Sequence, residues 1–183
     1  ERRYGVRVTN AGFLSIGQTT VGGVYLIFIV MLVIIVAAQL VMMRTRAGRN
    51  LYYIGSNPDA ARLVGIKVRR VRVAGFLVCA LLAALTGMLM TSYQGTSSLY
   101  MGMNLELQII ISCLIGGASI AGGQGNVVGS LLGVVFMTMV VSVFNILEIG
   151  IYWQNIVVGL ILMAIVSLDA LLALRRRRAL GEV

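Results

Sequence analysis

The chain has 183 residues, 59% of them hydrophobic and 11% charged, with 22 glycines and one proline. A water-soluble domain is nearer ~45–50% apolar and ~25% charged, so this composition excludes an ordinary soluble fold and turns attention to apolar runs of ~20 residues, the length that crosses ~30 Å of hydrocarbon. The net charge of +9 would raise nucleic acid as a partner in a soluble protein, but its placement argues against one. Arg44, Arg46, Arg49, Arg62, Lys67, Arg69, Arg70 and Arg72 share one short connection, Arg175, Arg176, Arg177 and Arg178 lie near the end, and positions 73–174 hold no Lys or Arg. That is the positive-inside pattern of a membrane protein.

Residues 1–20 are polar and irregular, with Arg2, Arg3, Arg7 and a GQTT stretch that argues for a loop. They lack the charged, apolar and small-residue order of a signal peptide, and with Glu at position 1 the expectation is a fragment whose N-terminal part is missing. Val21–Met43 is a first uncharged span, with Gln39 as its strongly polar side chain, and Val73–Tyr93 is a second. Leu105–Ile120 is apolar apart from Glu106, Gln108 and Ser112, short for a straight crossing, and runs into GGASIAGGQG. A short helix, or one broken inside protein, is expected there. Val127–Phe144 and Ile156–Leu174 complete the set, with Tyr152 and Trp153 suited to a membrane interface. The expected fold is an all-α polytopic transmembrane bundle of about five segments, one of them short or broken. Cys79 and Cys113 fall inside apolar stretches and read as packing residues.

Parity then assigns sides. With 44–72 in the cytoplasm, 94–104 and 145–155 fall outside, and the glycine-rich turn 121–126 and residues 175–183 fall inside. Both basic clusters become cytoplasmic, and residues 1–20 fall outside in spite of their three arginines.

Within the 44–72 connection, SNPDAARLVGI carries start and stop signals for a very short helix. Asn57 can cap it, Pro58 suits its first position, Asp59 favours the positive end of the dipole, and Gly65 can take the left-handed closing conformation. A helix of about two turns is not stable alone and must pack on something. Ala60, Leu63 and Val64 follow i, i+3, i+4 spacing, which leaves Asp59 and Arg62 for polar contact. A cytoplasmic partner or the protein's own helix ends can supply the surface, and a simple connecting turn is the plain alternative.

At this point the chain resembles a known family. YYIGSNPDAARLVGIKVRRVRVAGF is similar to the cytoplasmic loop of ribose-type ABC importer permeases, and the likeness continues through GMNLELQIIISCLIGGASIAGGQGNVVGSLLGVV and YWQNIVVGLILMAIVSLD. It runs in order from about 21 to 174. The resemblance implies the C-terminal half of one transmembrane permease domain over 1–183, in a multi-pass protein of the bacterial inner membrane with its C-terminus in the cytoplasm. It also implies that 44–72 is a coupling loop whose Asn57–Ile66 helix enters a groove of an ATPase subunit, with Asn57, Asp59, Ala61, Arg62, Leu63 and Gly65 as coupling residues. Arg62 would be the polar contact, and Leu63 and Val64 the packing face. A soluble or lipid-anchored substrate-binding protein, a second permease copy and the bilayer are the other implied partners, and a monosaccharide or related small polyol or furanose the implied substrate. Asp59 stands where the family more often has Glu, and LQIIISC departs from its small-residue pattern, which bears on substrate identity.

Gly125, Gly129 and Gly133 recur every four residues, a stripe that allows close helix approach in lipid. The GGASIAGGQG turn suits a hinge. Gln108, Ser112, Gly117, Ser119 and Gly122 are the candidate path or gate residues, and Gln39, Gln154 and Asn155 add amides able to bind an uncharged sugar, without forming a constellation. Glu106 is expected to cap or anchor its helix, and Asp169 to pair with the arginines that follow it.

No enzyme is expected here. The chain has no histidine and no G-x-S-x-G, which excludes a Ser-His dyad and HExxH zinc chemistry. The phosphate-loop pattern is missing too, so ATP belongs to a partner subunit and no cofactor or metal is expected in this chain. A branched-chain amino-acid permease and a membrane scaffold are the remaining alternatives.

Overall fold

The computed structural model describes residues 5–99 and 101–179, with side chains as far as Leu171. Among the described residues, four helices are long and apolar enough to cross a membrane, and an 11-residue apolar helix accompanies them. Large apolar side chains stand exposed along all four, among them Phe28, Leu32, Phe76, Leu81, Phe136, Met139, Leu160 and Met163. A surface of this kind is an aggregation hazard in water and the expected exterior in lipid. The chain is an integral membrane protein with an all-α, polytopic fold. It divides into two compact units, one of residues up to Ala47 together with Lys67–Met103, the other of Gly48–Ile66 with the residues from Asn104 onward.

The first unit opens with strand β1 (Gly5–Arg7), helix α1 (Ala11–Gln18) and a hairpin of β2 (Thr20–Val21) and β3 (Val24–Tyr25). The sequence expectation of a loop over 1–20 and a span from Val21 is corrected here for the described part of that stretch. Asn10 Oδ1 accepts from Gly12 N–H at 3.0 Å and Phe13 N–H at 3.3 Å, which starts α1. Gly22 and Gly23, at φ 61° and 83°, supply the two left-handed residues of a tight hairpin. The first long helix, α2, therefore runs over Leu26–Arg44.

In the same unit, α5 (Val68–Gln94) takes Arg69, Arg70 and Arg72 into its first turns and ends at Gly95, φ 67°. Strand β4 (Thr96–Ser98) then pairs antiparallel with β1, Arg7 opposite Thr96. Gly17 of α1 lies so close to the Ser92 and Tyr93 backbone that no Cβ would fit, and Ser92 Oγ donates to the Phe13 carbonyl at 2.6 Å. Arg7 consequently sits at the end of α5 opposite Arg69, Arg70 and Arg72.

The second unit holds most of α3 (Arg46–Ser56), then α4 (Pro58–Leu63), α6 (Leu105–Ile115), α7 (Val127–Ile146) and α8 (Ile151–Ala179). At ~1.5 Å per residue α6 rises about 16 Å, roughly half the hydrocarbon thickness. It lies antiparallel against α7 through the glycine stripe. A Cβ at Gly129 would strike the Gly116 carbonyl, and one at Gly133 the Ser112 carbonyl. Ile111 and Met137 fill the buried centre of this pair. The α7–α8 corner is closed by Gln154, whose Nε2 donates to Asn145 Oδ1 at 3.0 Å and to the Ile149 carbonyl at 2.9 Å.

Candidate functional site

The basic connection 44–72, where one very short helix is expected, holds two helices, α3 and α4. Helix α3 arises from RAGRNLYYIGS, which buries Gly48 and Ile54 and leaves Arg46 and Arg49 exposed. It stops because Pro58 disfavours the helical region for the residue before it, and Asn57 turns extended at φ −153°, ψ 102°. From there Asn57 Oδ1 accepts from Asp59 N–H and Ala60 N–H, both at 3.0 Å. At the other end Gly65, φ 80°, lets its N–H donate to the Arg62 carbonyl and the Ile66 N–H to the Ala61 carbonyl, each at 3.0 Å. This crossed pair is the Schellman closure. Six residues are far below the length at which a helix persists alone, and α4 is held by its two satisfied ends together with the burial of Ala61.

The i, i+3, i+4 set of Ala60, Leu63 and Val64 is an open face, not covered by the described residues of this chain. Ala61 is the inward residue, 3% exposed, while Leu63 and Val64 stand 89% and 75% exposed. Arg62 pairs with Asp59 at 3.1 Å on the open surface, a geometry worth little to stability. A groove of about 430 Å³ runs beside the helix, with Tyr53, Asn57, Ala60, Val64 and Ile66 on its walls. Two adjacent apolar side chains are thus presented outward on a rigid, capped support.

The glycine-rich turn over 116–126 is the second element. Gly117, Gly122 and Gly123 all have positive φ, at 89°, 90° and 74°. Gly122 approaches α3 so closely that a Cβ would lie 2.7 Å from the Gly55 carbonyl oxygen. Tyr52 Oη donates to the Gly125 carbonyl at 2.8 Å. On the far side Asp169 of α8 accepts from the Ser119 hydroxyl at 3.0 Å and from Ile120 N–H at 3.0 Å. The pairing of Asp169 with arginines falls on side chains outside the described residues; its described partners are these two.

The structure thus brings Ser119 and Gly122 together in the turn, with Gly117 beside them in open space. Ser112 is buried on α6 and spends its hydroxyl on the Gln108 carbonyl at 2.7 Å. Gln108, half-buried on the same helix, lies one turn away from it. Gln154 is held by the α7–α8 corner, and Gln39 Nε2 donates to Met43 Sδ at 2.9 Å. Glu106 is an exposed residue in the first turn of α6. Tyr52, Gly55 and the Ser119–Asp169 contact were not foreseen from sequence. The available signal was Gly55 itself, a glycine near a helix end that neither closes the helix nor makes a turn.

A family described as branched-chain amino acid transport system / permease component matches residues 3–166. Among curated relatives, the xylose transport system permease protein XylH of Escherichia coli K12 is 40% identical over 134 residues, covering 73% of this chain and 34% of that protein. A probable ABC transporter permease protein, YphD of the same strain, is 33% identical over 186 residues, covering 97% and 56%. The autoinducer 2 import system permease protein LsrC of Salmonella choleraesuis is 36% identical over 137 residues, covering 75% and 40%. The chain spans from about a third to just over half the length of these relatives. No solved structure matches it.

Proposed function

This chain belongs to the permease family of branched-chain amino acid transport systems, and from that premise we propose that it is part of the membrane subunit of an ATP-driven ABC importer. Its substrate is a monosaccharide or a related small polyol or furanose. The substrate reading rests on the relatives whose names specify xylose and autoinducer 2. The family description itself favours a second reading, a branched-chain amino acid. Measuring which ligand raises the melting temperature of the cognate binding protein separates the two; an amino-acid ligand would sink the sugar assignment.

The observation that carries the coupling role is α4, closed at both ends, with Leu63 and Val64 projecting from it. A partner's movement reaches the membrane through a rigid lever better than through a floppy loop, and an apolar pair on a polar surface is what a partner's groove would take up. Asn57, Asp59, Ala61 and Gly65 build the lever, and Arg62 and Leu63 contact the ATPase subunit. ATP is bound and hydrolysed by that subunit, with no cofactor held by this chain. A binding protein and a second permease copy complete the assembly in the bacterial inner membrane. The loop 44–72, the turn 121–126 and the C-terminus face the cytoplasm.

Because Leu63 is almost fully exposed, Leu63→Asp should leave thermal unfolding of the permease within about 0.5 kcal/mol of the parent. Uptake into proteoliposomes containing the complete transporter should nevertheless collapse. Unchanged uptake would remove α4 from the coupling path.

A further inference from the structure

The glycine turn 116–126 contains three positive-φ glycines among its residues. Glycine's wide conformational range makes such a segment a natural place for displacement to be lost. Two attachments oppose that. On one side the turn is held to α3, through the Tyr52–Gly125 hydrogen bond and the bare backbone contact of Gly122 with Gly55. Helix α3 passes through Ser56 and Asn57 straight into α4. On the other side its middle is fixed to α8. Both carboxylate oxygens of half-buried Asp169 lie within reach of Ser119 Oγ, at 3.2 and 3.0 Å, and Ile120 N–H donates to one of them at 3.0 Å. Ser119 Oγ also accepts from Ala121 N–H at 3.2 Å, so Ser119 and Ile120 are bonded to the acid directly and Ala121 is joined to it through the Ser119 hydroxyl. An ionisable group on a membrane-spanning helix is costly to keep unless it is hydrogen-bonded, and here both carboxylate oxygens have donors within reach.

We propose that Ser119 and Asp169 are positioning residues that make the turn a rigid joint, passing displacement of α4 to α8 instead of absorbing it as a hinge. This rests on the reading of α4 as the coupling helix. The pair acts through the turn rather than on substrate or nucleotide. Its effect is on how much transport each ATP yields.

The test is parallel measurement of uptake and ATP hydrolysis by the complete transporter in proteoliposomes. For Ser119→Ala and Asp169→Ala, hydrolysis should stay within about twofold of the parent while uptake per ATP falls about tenfold, the scale of one or two lost hydrogen bonds. Ser119→Thr keeps the hydroxyl and should retain most of the uptake. An unchanged ratio of uptake to ATP in both alanine variants, or a parallel loss of both activities, overturns the proposal. If Asp169→Ala fails to accumulate in the membrane, Ser119→Ala decides alone, because it leaves the Ile120 bond in place. Failure of the underlying coupling reading looks different: Leu63→Asp would leave uptake unchanged.

Discussion

At the residue scale, glycines in this chain divide into those whose missing side chain is structural and those that are incidental. Gly122 combines a left-handed backbone with direct contact against Gly55. Gly122→Ala should therefore destabilise the protein by about 1–3 kcal/mol, from overpacking and strain together. Gly87 sits within α5 in open space, so Gly87→Ala should be neutral or stabilising by up to ~1 kcal/mol through helix propensity. Thermal unfolding of the two variants in detergent or nanodiscs makes the comparison. Asn57 is the other residue with a separable role. Its side chain satisfies two amides of α4, and Asn57→Ala should cost about 1 kcal/mol. The loss should register locally, as faster amide exchange over 59–63, with little change at α7.

The elements differ in how openly they announce themselves. The four long helices were legible as uncharged runs, within about five residues at their ends. Helix α4 was legible in full, because capping is local: Asn57, Pro58 and Gly65 are read from neighbours alone. Its outward face was not, since apolar spacing says which side chains share a face and not whether that face is covered. Helix α3 was hidden by its arginines, which made an amphipathic helix look like a basic loop. In α1, a short capped helix followed by a Gly-Gly hairpin has no long period to detect. The glycine stripe of α7 was legible as a packing surface, and its partner Gly116 became evident once α6 was seen to run antiparallel beside it. Gly133→Leu should force α6 and α7 apart, and a loss of more than half the folded yield in membranes, against no loss for Gly159→Leu, would check it. Gly159 lies in open space on α8.

For the molecule as a whole, the parts that sequence could not reveal are the long-range ones. Tyr52 and Gly125 are 73 positions apart, and Ser119 and Asp169 are 50 apart. Neither pairing leaves a local trace, and hydrogen bonds of this kind are decided by where helices end in space. The shortness of α6 has a consequence of that spatial sort. Since Ser112 meets Gly133 and Gly116 meets Gly129, Leu105 lies abreast of position 140, and α7 continues to Ile146, about 9 Å further at ~1.5 Å per residue. The first turn of α6 thus begins beside the flank of α7, with Asn104 giving it no side-chain cap. Free N–H groups cannot face hydrocarbon, where each would cost several kcal/mol. Water or further protein has to meet them. Amides 105–107, outside the helical ladder, should exchange with solvent faster than those in the middle of α7, and protection equal to that of α7 would mean that protein covers them.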